Sequence, residues 1–112
     1  MNLKIKPELD YVFMALNDET RRAIVHQLAK GECAVKDFDL PNPLSKSAVT
    51  KHLKILERAG LLRRNIVGRE HICSLNREPI VAINQWLSIF EPSWDDSEEA
   101  LTAYMDMQLQ EN

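Results

Sequence analysis

Within some thirty residues, from Ser45 to Leu75, the hydrophobic pattern changes its period, and this change restricts the fold more than any other feature of the chain. Val49, Leu53 and Leu56 repeat at helical spacing over residues 46–59. Ser45 stands where an N-cap accepts the free amides of a first turn, and Gly60 stands where a helix ends. Two short runs containing β-branched residues follow, 61–67 and 70–75. Only Gly68 and Arg69 separate them, which predicts a tight β-hairpin. The chain is therefore expected to be mainly α with a small β-hairpin.

The flanking residues supply more helices. Leu9, Val12, Phe13 and Leu16 fall at i, i+3, i+4 and i+7, one face of a helix over residues 6–16. Asn17 reads as the cap of a second helix over 18–30. Asp18 and Glu19 face the positive end of its dipole, Ile24, Val25 and Leu28 point inward, and Gly31 follows its end. Residues 32–38 are expected to hold a short third helix, limited by Pro41 and Pro43. Beyond the hairpin, Asn76 is expected to cap a helix reaching Phe90, with Pro79 in its first turn. Ile80, Ile83, Leu87 and Phe90 form its apolar face. A last helix over 96–109 aligns Leu101, Tyr104, Met105 and Leu109. The order α-α-α-α-β-β-α-α is that of a winged helix-turn-helix, and 112 residues make one such domain, 1–112.

The formal net charge of −3 argues against a nucleic-acid partner only until it is divided along the chain. Residues 46–71 carry seven Lys or Arg against Glu57 and Glu70, a balance of +5, and residues 91–112 carry seven acids and no base. On the helix, Ser47, Thr50, Lys51, Lys54 and Arg58 lie opposite the apolar stripe. Short hydroxyls near the helix start can approach base edges, and the cations beyond them can meet phosphates. Arg69 at the hairpin tip suits a wing that reaches the backbone. A basic helix is equally what a solvated surface presents; its position, after two short helices and before a hairpin, favours DNA.

Residues 17–24, Asn-Asp-Glu-Thr-Arg-Arg-Ala-Ile, resemble the "DPTRR-I" opening of ArsR-type repressors. Residues 44–62, LSKSAVTKHLKILERAGLL, resemble their recognition segment, and Gly68-Arg69-Glu70-His71 with Leu75 resembles their wing. Trp86, Phe90, Trp94, Leu101 and Tyr104 resemble the branch without a recognised metal site. The resemblance implies a homodimeric DNA-binding transcription factor, usually a repressor, with its first and last helices at the dimer interface. The expected interface residues are Leu9, Val12, Phe13, Leu101, Tyr104 and Met105, on helices over 6–16 and 77–110. The expected DNA contacts are Ser47, Thr50 and Lys51 near base edges, and Lys46, Lys54, Arg63, Arg64 and Arg69 at phosphates or through the wing. Two-fold symmetry implies a pseudo-palindromic operator.

The sequence departs from the family twice. Metal-sensing members carry "ELCVCDL" where this chain has residues 32–38, so Ala34 and Lys36 replace the two ligand cysteines and no metal or other cofactor is expected. Residues 39–43, Asp-Leu-Pro-Asn-Pro, stand where the family continues its first motif helix. Cys33 and Cys73 fit buried hydrophobes or a thiol-redox pair regulating the repressor. His26, His52 and His71 have no ligand spacing. His52 fits packing or a phosphate contact. The acidic stretch fits a solvated helix start, and it also motivates a second reading, a winged-helix interaction module without DNA binding. No nucleophile–base pattern, glycine-rich phosphate loop or paired carboxylates indicate an enzyme. No apolar run approaches the roughly 20 residues of a membrane span. With no secretory signal and two free thiols, the expected compartment is the cytoplasm.

Overall fold

The computed structural model describes residues 8–91, 102 and 105–107. Four helices and three strands follow in the order α1 (Leu9–Leu16), α2 (Glu19–Lys30), β1 (Cys33–Ala34), α3 (Lys46–Arg58), β2 (Leu62–Val67), β3 (Glu70–Leu75) and α4 (Glu78–Ser88), with one 3-10 turn, Val35–Asp37, after β1. This is a winged helix-turn-helix. Residues 102 and 105–107 are also helical, whereas Leu101, Tyr104 and Leu109 lie outside the described residues.

The core is a single cluster in which Val12, Ile24, Leu28, Leu53, Leu56, Leu61 and Cys73 meet. Each large apolar side chain buried there contributes about 1.5–3 kcal/mol relative to exposure. The stripe of α3 behaves as its spacing predicts: Leu53 and Leu56 are buried and Val49 packs partly beside them. Val12 is a correction. It is fully buried within the chain, together with Ala15, and has no surface left for the expected dimer interface.

The ends of α3 are defined by side chain and backbone together. Ser45 Oγ accepts from the Ala48 amide at 3.2 Å. At the other end the amides of Gly60 and Leu61 return to the carbonyls of Glu57 and Leu56, at 2.9 and 3.0 Å. That double bond pattern requires a left-handed residue, which Gly60 supplies with φ +77°. Asn76 then ties the exit of α3 to the entry of α4: its Nδ2 donates to Gly60 O at 2.8 Å, and its Oδ1 accepts from the Glu78 amide at 3.3 Å. The hairpin is thereby held at a set angle to α3.

Two local readings need correction. The cap of α2 is Asp18, not Asn17: its carboxylate accepts from the Arg21 amide at 3.0 Å, while Asn17 closes α1. Residues 32–38 form no α-helix. Cys33 and Ala34 instead pair antiparallel with β3, so the sheet has three strands in the order β1-β3-β2. Gln27 on α2 holds the backbone just after the 3-10 turn. Its amide donates to Asp39 O at 2.6 Å and accepts from Asp39 N at 2.9 Å, bonding the backbone outward as a neighbouring strand would.

Candidate nucleic-acid interface

The exposed face of α3 carries Lys46, Ser47, Thr50, Lys51, Lys54 and Arg58. The hairpin beside it has six paired positions, from Leu62 opposite Leu75 to Val67 opposite Glu70. Gly68 has φ +64° and precedes Arg69, the glycine-first arrangement of a type II′ turn, so Arg69 projects at the exposed tip. Ile66 and Val67 are also exposed on this wing.

The cations do not all have the same freedom. Lys36 is paired with Glu70, the first residue of β3 after the wing's turn. Arg58 lies 5.0 Å from the Tyr11 ring centroid and reaches its hydroxyl, which ties α3 to α1. Arg64 corrects the sequence reading: its guanidinium is ion-paired with Glu57 and mostly covered, so it braces β2 against α3. Lys46, Lys51, Lys54, Arg63 and Arg69 are exposed and have no ion-pair partner among the described residues.

A network behind α3 sets its position, and sequence reasoning did not assign it. Arg21 Nε donates to Ala15 O at 2.7 Å and its Nη2 donates to Met14 O at 3.1 Å, satisfying carbonyls at the end of α1. Its Nη1 lies 3.1 Å from His52 Nδ1 on α3; a guanidinium only donates, so the imidazole accepts. Arg22 donates to Leu16 O. His52 therefore belongs to the junction of α1, α2 and α3. The available signal was the paired Arg21-Arg22 just after a predicted helix end, where cations meet orphan carbonyls.

Asp18 shares this junction. Burial works against its ionisation, but the amides of Arg21 and Thr20 and the charge of Arg21, with that of His52 when its imidazole is protonated, outweigh burial and hold its carboxyl below the usual range. A carboxylate with a lowered folded-state pKa adds stability above its unfolded value, near pH 4, and that stability is lost as pH falls through the lowered value. Asp18→Asn keeps the cap acceptor without the titration. It is expected to flatten the decline in stability below about pH 4; urea unfolding at stepped pH checks this, and an unaltered acid limb would show that Asp18 does not carry the linkage.

Cys33 stands directly opposite Cys73 in the β1–β3 register. Burial pushes both thiols up, with Asp37 adding to the effect at Cys33; at Cys73 the Arg64 charge opposes it, while Glu57 and Cys33 reinforce it. The resting form of each is the thiol. Among the described residues no three His, Cys, Asp or Glu gather as metal ligands, and no helix is long and apolar enough to cross a membrane.

A second surface lies on α1 and α4. Phe13, Trp86 and Phe90 form a chain of edge-to-face rings with centroids 5.4 and 5.0 Å apart. All three are substantially exposed, as are Met14, Leu87, Ile89 and Met105. Leu9 is half-buried. The sequence placed Leu87 and Phe90 on the apolar face of a helix reaching about Phe90; α4 ends at Ser88 and both side chains are exposed.

Known proteins share this arrangement. Residues 16–65 match the helix-turn-helix domain family. The HTH-type transcriptional regulator Rv2034 of Mycobacterium tuberculosis is 37% identical over 95 residues, covering 85% of this chain and 83% of that protein. A crystal structure of an ArsR family transcriptional regulator superposes with a TM-score of 0.71 at 32% identity, over 78% of this chain and 96% of that one. The chain belongs to the ArsR family. An ArsR-like regulator from Rhodococcus sp. RHA1 is similar over 86% of this chain and 91% of its own, with a TM-score of 0.63 and 29% identity. The transcriptional repressor SdpR of Bacillus subtilis is 29% identical over 82 residues, 73% of this chain and 91% of its own. This ArsR-family chain is accordingly a DNA-binding transcriptional regulator.

Proposed function

We propose that the chain is a cytoplasmic repressor that binds a pseudo-palindromic operator as a homodimer. One observation carries the reading: five exposed cations without ion-pair partners among the described residues surround two hydroxyls on α3 and the wing. Lys51 and Lys54 meet phosphates along the major groove, Ser47 and Thr50 approach base edges, and Lys46, Arg63 and Arg69 hold the flanking backbone. The exposed aromatic chain of α1 and α4 supplies the two-fold contact, which sets the spacing of the half-sites. The similarity to SdpR, a transcriptional repressor, supports repression. No step here needs a catalyst or a metal.

The test is selection of bound fragments from the source genome, followed by titration of the selected duplex at several salt concentrations. The expected result is one two-fold-symmetric motif and a log–log slope near −0.9 for each phosphate contacted. A protein that enriches no motif and shows no salt-dependent affinity for any duplex is an interaction module, and the reading falls.

A further inference from the structure

A cavity of 510 Å³ lies between α3, the wing and the segment after β1. It lies where the chain before α3 makes a single 3-10 turn and no α-helix. Val35–Asp37 completes one 3-10 turn, Phe38 is already extended, and Pro41 and Pro43 lack the donors that further helix would need. The cavity's size falls within the roughly 300–1,000 Å³ typical of small-molecule sites.

The lining has two parts. Phe38, Leu40, Leu44, Val49 and Leu53 give it an apolar wall, and Lys36, Lys46, Arg64 and Arg69 border it against one acid, Glu70. Lys36 is paired with Glu70 and Arg64 with Glu57. Lys46 from α3 and Arg69 from the wing remain unpaired among the described residues, so the cavity has a net demand for negative charge. An inorganic anion would leave the apolar wall in water, and a neutral apolar molecule would leave both cations unmet. An organic carboxylate with an apolar body answers both, because guanidinium and ammonium bind carboxylates by charge-assisted hydrogen bonds.

We infer that this cavity binds an amphipathic organic carboxylate, its apolar body on Leu40, Leu44 and Val49 and its head between Lys46 and Arg69, in competition with DNA. The competition rests on the DNA-binding reading above, since Lys46, Thr50 and Arg69 face both ligands. Occupancy would neutralise charges that the operator needs and thereby release it.

Decanoate, below its micelle concentration, is the probe, with decanol and decylamine as controls of the same chain length. Calorimetric titration into the free protein is expected to show saturable binding of decanoate, with decanol and decylamine at least tenfold weaker. Leu44→Trp, which fills the cavity from its rim, is expected to weaken decanoate tenfold or more while still binding the selected duplex. At ten times its own Kd, decanoate is expected to weaken duplex binding about tenfold by mass action. Absence of binding, equal binding of decanol, unchanged affinity in a folded Leu44→Trp, or binding without release of DNA each overturns the inference. Thermal unfolding of the variant separates a filled cavity from a misfolded chain. Should the protein bind no duplex at all, the DNA-binding reading fails and the competitive inference with it, while the calorimetric result still decides whether the carboxylate site exists.

Discussion

Replacing Lys51 and Lys54 together with alanine is expected to weaken operator binding about a thousandfold without unfolding the protein. Each lysine is exposed and unpaired among the described residues, so no ion pair described within the fold is lost. Surface changes of this kind alter stability by about 0.5 kcal/mol or less. At the phosphates the effect is larger. An ammonium about 4 Å from a phosphate in water contributes about 1 kcal/mol. A two-fold dimer loses four such contacts, about 4 kcal/mol in all, and each 1.4 kcal/mol is tenfold in Kd. Counterion release adds an independent reading. The log–log salt slope should become shallower by about 3.6 for a dimer and by about 1.8 for a monomer, at about 0.9 per phosphate. Fluorescence anisotropy of labelled duplex across a salt series measures both quantities. An unchanged slope would remove α3 from the phosphate backbone, whatever the affinity did. Thr50→Ala is a different kind of change, because a hydroxyl at a base edge alters preference at one position and leaves the salt slope alone.

Periodicity made the fold legible where one element was long enough to repeat. The α3 stripe, its Ser45 cap, Gly60 and the Gly68 turn all follow from local chemistry that neighbouring elements do not override. The segment after α2 was not legible, because Gln27 takes the Asp39 backbone from twelve residues away, and β1 pairs with a strand some forty residues later. Val12 and Arg64 mark the same limit at the level of sites. An i, i+3, i+4, i+7 stripe shows that a helix has an apolar face, but not which half of that face meets the core of its own chain. On α1 the core takes Val12 and Ala15 and leaves Phe13 outside. A cation in a basic run is not marked as free or paired by its neighbours in sequence. Arg64 is drawn inward by Glu57, seven residues earlier, because the strand folds back over the helix. The Arg21–His52 contact is more distant still, at thirty-one residues, and only assembly of three helices creates it.

Ile89→Asp with Phe90→Asp is expected to convert the protein to a monomer and to lower operator affinity by about 10²–10⁴-fold. These are among the most exposed apolar side chains of the described residues, 73% and 67% open, so the monomer buries little through them and should keep its fold. In a two-fold interface each substitution meets its own symmetry copy or a close neighbour, placing four carboxylates on a surface that was aromatic and aliphatic. Like charges juxtaposed at an interface oppose association by several kcal/mol. The consequence for DNA follows from linkage alone. A dimer seated on one half-site presents its second α3 at millimolar effective concentration, whereas a monomer must find each half-site separately. The substitutions leave α3 and the wing untouched, so affinity for an isolated half-site should persist. Sedimentation velocity reports the oligomeric state, and titration with full and half operators reports the coupling. A variant that stays dimeric would move the interface away from the α1–α4 aromatic face. A variant that becomes monomeric yet binds the full operator as before would show that the two recognition helices were never coupled through it.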